Sequence, residues 1–374
     1  MALLSGARWA AFDYDQPFRV ASISKMVAAT GFMSLVTSGA VDLDADISAF
    51  VGAGLRHPEH PDVPITARML LSHTSGLRNG VDVPVPFNRP LLPRLEAAAR
   101  EENYGGWFAP AHEPPRAWFA YSDTNFALIA QIIERVTGSR FDRFMRETLF
   151  EPLGLDVGYN WSAVSQRKRD RAAAAVRWID GAWQAQVDAA PPRTPEIAFY
   201  RGDGDPNSTE AEHRIGENGF AFAPHGGLRL SLADMDRLAQ FYLRGAPLAG
   251  DGALRQMTAP TWTYDPAAPN GATGGGWYQR FGMGVHLPLG REAPGASPGD
   301  AFFGAGTQHW CGHFGDAYGW ITGLWWNARD GATLVYALNG MPEMHRPPGT
   351  RSAMSSIEEA LIDAALCTQG VQRP

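Results

Sequence analysis

Apolar residues recur at helical spacing just beyond residue 22. Ile23, Met26, Val27, Phe32, Met33 and Val36 keep a 3.6-residue period, and Gly39 suits the stop, so a helix is predicted from Ser22. A second helix is predicted after Ser122-Asp123-Thr124, which offer capping oxygens. Phe126, Ile129, Ile133 and Val136 form its apolar stripe, and Gly138 ends it. Shorter helical stretches are expected at about 141–149, 231–245 and 352–366. Strand character appears later. Ala174 to Ala189 reads as a hairpin about Asp180-Gly181, and Trp320 to Trp326 with Ala332 to Leu338 as two strands joined by the turn 327–331. Residues 65–77 carry a short apolar segment, Met69-Leu70-Leu71, and then a turn-like Ser72-His73-Thr74-Ser75-Gly76. The Pro- and Arg-rich stretch 78–118 reads as a long excursion over the surface, and 262–300 as mainly loop.

The middle is therefore mostly helical, and the end is strand-rich with a closing helix. This predicts an α/β chain of the α+β type: an antiparallel sheet flanked by helices, with a mostly helical lobe inserted between its first and last strands. The expected division of this single domain, 1–374, is a sheet lobe of about 1–60 plus 215–374 and a helical lobe of about 61–214.

Composition narrows the function classes. Net charge is −7 and the basic residues are dispersed, which argues against nucleic acid. The one dense patch, Arg167-Lys168-Arg169-Asp170-Arg171, is broken by an acid and reads as a solvated face. No apolar run approaches the roughly 18 residues of a membrane helix. Cys311 and Cys367 make no disulfide framework. Residues 1–6 lack the basic region and apolar length of a secretion signal, so the expectation is cytoplasmic if Met1 is the native start, and periplasmic or secreted if a leader was trimmed. No cofactor is implied. His57-Pro58-Glu59-His60 lies among prolines, not on a metalloprotease helix. His309 and His313 would share a strand face but find no third ligand. Gly295-Ala296-Ser297-Pro298-Gly299 matches a nucleophile elbow, but its prolines put it in a loop.

Of 32 basic residues only two are lysine, Lys25 and Lys168. Arginine keeps its proton in proteins, whereas a buried lysine can be tuned to act as a base. Ser22 and Lys25 stand at i,i+3 where a helix begins, so their side chains can meet on one face. The positive end of the helix favours charge on the serine oxygen. This is the S-x-x-K arrangement of a serine nucleophile with its own base. Lys168 makes a second match with Ser165, set aside because its surroundings read as exposed charge that would keep it protonated.

Two further segments carry weight: Tyr121-Ser122-Asp123, and Gly312-His313-Phe314-Gly315 just before the final strand pair. Ser22, Tyr121 and His313, in this order and at these separations, resemble the penicillin-recognising serine hydrolases. The nearest branch is the class C β-lactamase-like group, with its family VIII carboxylesterases and D-aminopeptidases. The segments 65–77, Gly226-Gly227-Leu228-Arg229-Leu230-Ser231 and Leu338-Asn339-Gly340 agree, so the likeness covers roughly 18–155 and 218–340.

The resemblance implies roles. Ser22 would be acylated, and Lys25 and Tyr121 would share its proton, the phenol being lowered by the neighbouring ammonium. The N–H groups of Ser22 and Asp316 would form the oxyanion hole. Gly315 would let substrate backbone approach the strand. Substrate is expected to be a short acyl ester (a carboxylesterase), with a D-amino-acid amide or peptide (D-aminopeptidase or amidase), a β-lactam, or non-catalytic ligand binding as alternatives.

Departures from the family pattern bear on substrate. Asp123 stands where many relatives carry Asn. An ionised Asp cannot donate to a substrate carbonyl, and beside Lys25 it favours the ammonium. Either Asp123 points away, or Tyr121 is the working base. His313 replaces a lysine that fixes the substrate carboxylate in true β-lactamases, and neutral imidazole does so poorly. Tyr318 and Trp320 are candidates for the pocket wall or the core. Relatives carry a helix and two strands before the serine, whereas 21 residues precede Ser22 here, of which Ala7 to Phe12 could supply one strand. The sheet edge so exposed is expected to be covered by a second subunit, as in a homo-oligomer, or by the C-terminus.

Overall fold

The computed structural model describes residues 2–5, 8–11, 13–52, 54–80, 85–179, 181–186, 210–291, 299–304, 306–317, 319–341 and 346–368. Two short strands, β1 (Ala2–Ser5) and β2 (Arg8–Ala11), form an antiparallel pair. Strand β3 (Phe18–Arg19) leads into helix α1 (Ile23–Thr37). Every residue of α1 from Ile23 to Met33 is buried. A helix that is apolar all round must be enclosed by other elements, and α1 runs through the middle of the molecule. It ends at Thr37, and Gly39 takes the left-handed conformation at φ 77°.

The helical part is built on α2 (Leu91–Ala98) and α3 (Asp123–Thr137), the latter ended by left-handed Gly138. Residues 78–118 correct the expectation of a surface excursion. Val85, Phe87, Leu91, Leu95, Trp107 and Phe108 are all buried in the main core. Prolines cut the stretch into pieces too short to show a period, yet the apolar side chains still turn inward. The region at 141–149 is a helical turn, Phe141–Met145, continued by a π-helical turn, Arg146–Phe150. The hairpin near 181 is present as β4 (Ala175–Ile179) and β5 (Ala182–Gln186); Asp180 and residues 187–189 lie outside the described residues.

A two-residue strand, β6 (Arg229–Leu230), pairs antiparallel with β3 and precedes helix α4 (Leu232–Leu243), which starts with a Ser231/Asp234 capping box. Short strands β7 (Trp262–Thr263) and β8 (Arg280–Phe281) pair antiparallel. The main sheet is antiparallel, in the order β11 (Ala332–Asn339), β10 (Trp320–Asn327), β9 (Trp310–Ala317). Strand β10 is buried at every position, which explains its unbroken apolar run in place of alternation. Phe18 stacks on Trp320 with ring centroids 4.6 Å apart, and Tyr242 of α4 on Trp326 at 4.8 Å. Trp320 is thus a core residue; Tyr318 lies outside the described residues. An aromatic cluster that includes Phe302, Phe303, Trp310, Phe314 and Trp325 also takes in Ile362 of the closing helix α5 (Ser356–Thr368). That helix begins at Ser356 and not near 352, because Ser352 and Ser355 are bound side-on by the Glu359 and Glu358 carboxylates.

Residues 218–225 bring the chain back across α3 towards α1. A Cβ on Gly219 would stand 1.7 Å from the Ala127 carbonyl oxygen of α3, so only glycine fits this crossing. Gly219→Ala is expected to cost about 1–3 kcal/mol of stability, read as a lower urea midpoint at unchanged m-value; an unchanged midpoint would remove this contact from the account.

Candidate active site

Ser22 is the residue before the first turn of α1, where N–H groups have no acceptor within the helix. Its side chain is partly buried and makes no capping hydrogen bond. The turn that presents it is strained. Ala21, 1% exposed, sits in the left-handed region at φ 49°. The surroundings over-determine this conformation. Thr322 Oγ1 donates to Val20 O at 2.9 Å, and Ser24 Oγ donates to Ala21 O at 2.6 Å while accepting from Leu228 N at 3.0 Å.

Lys25 is 1% exposed, and its Nζ meets three oxygens. It lies 3.2 Å from Ser22 Oγ, 2.7 Å from the His225 carbonyl oxygen and 2.7 Å from Asp123 Oδ1. It also stands over the Tyr121 ring, 4.8 Å from the centroid. The one-turn spacing does bring Ser22 and Lys25 together, and Asp123 does not point away. Burial pushes the Asp123 carboxyl up, but the Lys25 ammonium and then His225 outweigh it and hold the group below the usual carboxylate range. The pair is therefore a carboxylate against an ammonium. The Asp123 side chain is 23% exposed, against 1% for Lys25.

Tyr121 precedes α3. Its N-terminal turn is capped from elsewhere in the chain: Asn79 Oδ1 accepts from Asp123 N at 2.8 Å and Ser122 Oγ at 3.2 Å. The expected caps are engaged by other segments instead, with the buried Thr124 Oγ1 donating to Arg78 O at 2.9 Å. The Tyr121 ring lies between Tyr278, stacked at 5.1 Å, and His73, at 4.3 Å. His73 Nδ1 accepts from Ser122 N and from Asn125 Nδ2, both at 3.1 Å, so its proton is on Nε2. The expected lowering of the phenol is corrected. Burial and then the Asp123 charge push the Tyr121 hydroxyl well above 10, and the neighbouring Ser22 hydroxyl only partly offsets them. Asp123 cancels the ammonium that was to lower it.

His313 is fully buried on β9. Its Nδ1 lies 2.6 Å from Phe314 O and must donate there, which leaves Nε2 as the acceptor facing Tyr121 Oη at 3.5 Å. Burial pushes the imidazole down to about 3, so it is neutral at pH 7. Gly315 has a different reason from the expected one. A Cβ there would stand 2.2 Å from Val20 O and 2.4 Å from Thr322 Oγ1, so the close approach is by the chain's own backbone before Ser22. The Asp316 carboxylate is taken by Arg346 at 2.6 and 2.8 Å, leaving its backbone for other contacts.

Lys168 is not solvated. It is 4% exposed and paired with Asp234 at 2.6 Å and Asp15 at 3.6 Å, while Ser165 caps its own short helix. It stays set aside because its charge is consumed by these acids. His309 lies in a turn before β9, bonded to Arg329 at 2.6 Å, and so does not share a strand face with His313. Among the described residues no cluster has a metal-binding set. Gly295 to Pro298 lie outside the described residues. No residue pattern marks Asn79, His73, Ala21 or the His225 carbonyl as parts of this site, although His73 sits in a segment that carries the resemblance.

Several imidazoles are held neutral by burial: His57 is lowered to about 4 and His313 to about 3, with His73 and His286 well below 6.5. Below pH 6.5 the unfolded chain binds protons that the folded chain refuses. Their contribution is complete above that pH and is lost as pH falls towards 4 and then 3. The expected slope is about 1.4 kcal/mol per pH unit for each such histidine, checked by urea midpoints in this window; midpoints level from pH 6.5 to pH 4 would contradict it.

Comparison with known proteins follows the same lines. A family model described as Beta-lactamase matches residues 4–357. Over 141 residues the chain is 28% identical to penicillin-binding protein 4 of Amycolatopsis lactamdurans, covering 38% of this chain and 35% of that protein. Over 210 residues it is 26% identical to monacolin J acid methylbutanoyltransferase of Aspergillus terreus, covering 51% and 48%. The matched stretches thus span between about a third and a half of these relatives. Among solved structures, the D-amino acid amidase from Ochrobactrum anthropi SV3 in complex with D-phenylalanine aligns with a TM-score of 0.60 at 19% identity, over 96% of this chain and 95% of that one. The mixed helix-and-sheet fold is accordingly of the β-lactamase/transpeptidase type. With the family model matching nearly end to end, the chain belongs to the beta-lactamase family, whose members are serine hydrolases and acyltransferases of this fold.

Proposed function

We propose that the protein is a serine hydrolase that forms an acyl-enzyme on Ser22. The observation that carries this reading is the Ser22 hydroxyl, 3.2 Å from the amine of a buried lysine that itself stands 4.8 Å over the ring of a partly buried phenol. When Lys25 is unprotonated it takes the serine proton as Oγ bonds the acyl carbon. Tyr121 passes a proton to the leaving group, and water then repeats the sequence in reverse. The N–H of Ser22, with that of Asp316, would hold the developing oxyanion. Neither candidate base is ready in the free protein. Asp123 holds Lys25 as an ammonium, and Tyr121 is a neutral phenol.

The surroundings bear on substrate. Asp123 is anionic and His313 neutral, so the position that would fix a carboxylate offers no positive charge. This disfavours β-lactams and leaves short acyl esters, with D-amino-acid amides as the second reading. The Asp123 carboxylate favours that second reading where the acyl group carries an amine.

Incubation with a fluorophosphonate followed by intact-mass measurement is expected to add one adduct, which Ser22→Ala loses; no adduct on the folded wild-type chain would leave a ligand-binding protein. p-Nitrophenyl butyrate is expected to turn over at least about tenfold faster, per kcat/KM, than nitrocefin. The reverse order would restore the β-lactamase reading.

A further inference from the structure

Asp123 is costly where it stands. It neutralises the amine that the acylation step needs, and it raises the phenol that shares the proton. An asparagine of the same size would do neither. The Asp123 side chain stands 2.7 Å from Lys25 yet remains 23% exposed, so part of the carboxylate keeps access to solvent. Laid end to end, the Ser22–Lys25 and Lys25–Asp123 contacts place this carboxylate no more than about 6 Å from the serine hydroxyl. A nitrogen on the carbon next to the scissile carbonyl therefore falls within its reach. The remaining titratable groups around the carboxylate, His73, His225, Tyr121 and Tyr278, carry no further negative charge.

We infer that the solvent-accessible part of the Asp123 carboxylate receives a cationic nitrogen adjacent to the acyl carbonyl, and that sharing the carboxylate in this way releases the Lys25 amine to act as base. The inference rests on Ser22 as the acylated residue. With no substrate, one cation and one anion balance. A bound α-ammonium makes two cations for one carboxylate, and a buried site resists the second charge. The incoming cation keeps contact with water at the mouth, whereas Lys25 is 1% exposed, so Lys25 is the group that yields. Its proton leaves to solvent through the open side of Asp123. The neutral amine then accepts the Ser22 proton as the Oγ–C bond forms, and the carbonyl electron pair moves to oxygen. Collapse re-forms the carbonyl, breaks the bond to the leaving group and delivers to it the proton now on Lys25, by way of Tyr121. Asp123 thus selects the acyl group and gates the base.

The test uses two p-nitrophenyl esters of one shape. One carries trimethylglycine, a permanent cation that cannot itself lose a proton; the other carries 3,3-dimethylbutanoate, its neutral isostere. Rates are corrected by Ser22→Ala for spontaneous hydrolysis. In the wild-type protein kcat/KM is expected to favour the cation by about thirtyfold or more. The acidic limb of kcat is expected at lower pH for the cation than for the isostere. Asp123→Asn is expected to lower that ratio by about tenfold or more, leaving only the greater intrinsic reactivity of the cationic ester, and to speed the neutral ester near pH 7. A ratio unchanged by Asp123→Asn, or identical acidic limbs for both esters in the wild-type protein, overturns the inference; the second readout needs no variant. Intact mass separates the two levels. Ser22 acylated by both esters without preference sinks this inference alone, and Ser22 acylated by neither sinks the reading beneath it.

Discussion

A single buried ammonium organises this site. Lys25 occupies a position from which water is excluded, and it is kept charged by one carboxylate, with a carbonyl, a hydroxyl and the Tyr121 ring also against it. Burying a lysine without such partners would be prohibitive. Its partners come from three separate places: α1 supplies the serine, the start of α3 the acid, and the chain before β6 the carbonyl. The crossing at Gly219, the Asn79 cap and the strained turn at Ala21 all serve to bring those three segments together.

The same ion pair sets the chemistry of its neighbours. A lone ammonium beside Tyr121 would have made the phenol more acidic; with Asp123 added, burial dominates and the hydroxyl keeps its proton. His313, turned by Phe314 so that its lone pair faces Tyr121, adds an acceptor without adding charge. The free protein thus gathers an alcohol, an ammonium, a carboxylate, a phenol and an imidazole, and on the proposed mechanism the carboxylate holds the amine back from the serine.

Legibility in the sequence followed range and mechanism. Ser22 and Lys25 were readable because they are one helical turn apart, in a chain that writes arginine almost everywhere else. The sheet hairpin was readable because β10 and β11 are joined by a short turn. Tyr121 and His313 stood out only by resemblance, since nothing local to Tyr121-Ser122-Asp123 marks a phenol as reactive. The β3–β6 pairing was invisible, as two residues against two carry no period. Lys168 was misjudged because its acids, Asp15 and Asp234, are far off in the chain, and charge density read along the sequence says nothing of them. The His225 contact is made by backbone, which no residue type reveals. Asp123 was visible as a departure, but its direction required coordinates.

The scarcity of lysine offers the most direct measurement. Protein labelled with 13C at lysine Cε has two such side chains to observe, Lys25 and Lys168, and Lys25→Arg assigns them. In the free protein the Lys25 signal should report an ammonium group at pH 7. Asp123→Asn should shift the titration of the Lys25 signal to lower pH and leave that of Lys168 in place. A Lys25 signal that already reports a neutral amine at pH 7 in the free protein, or one indifferent to Asp123→Asn, would contradict the account.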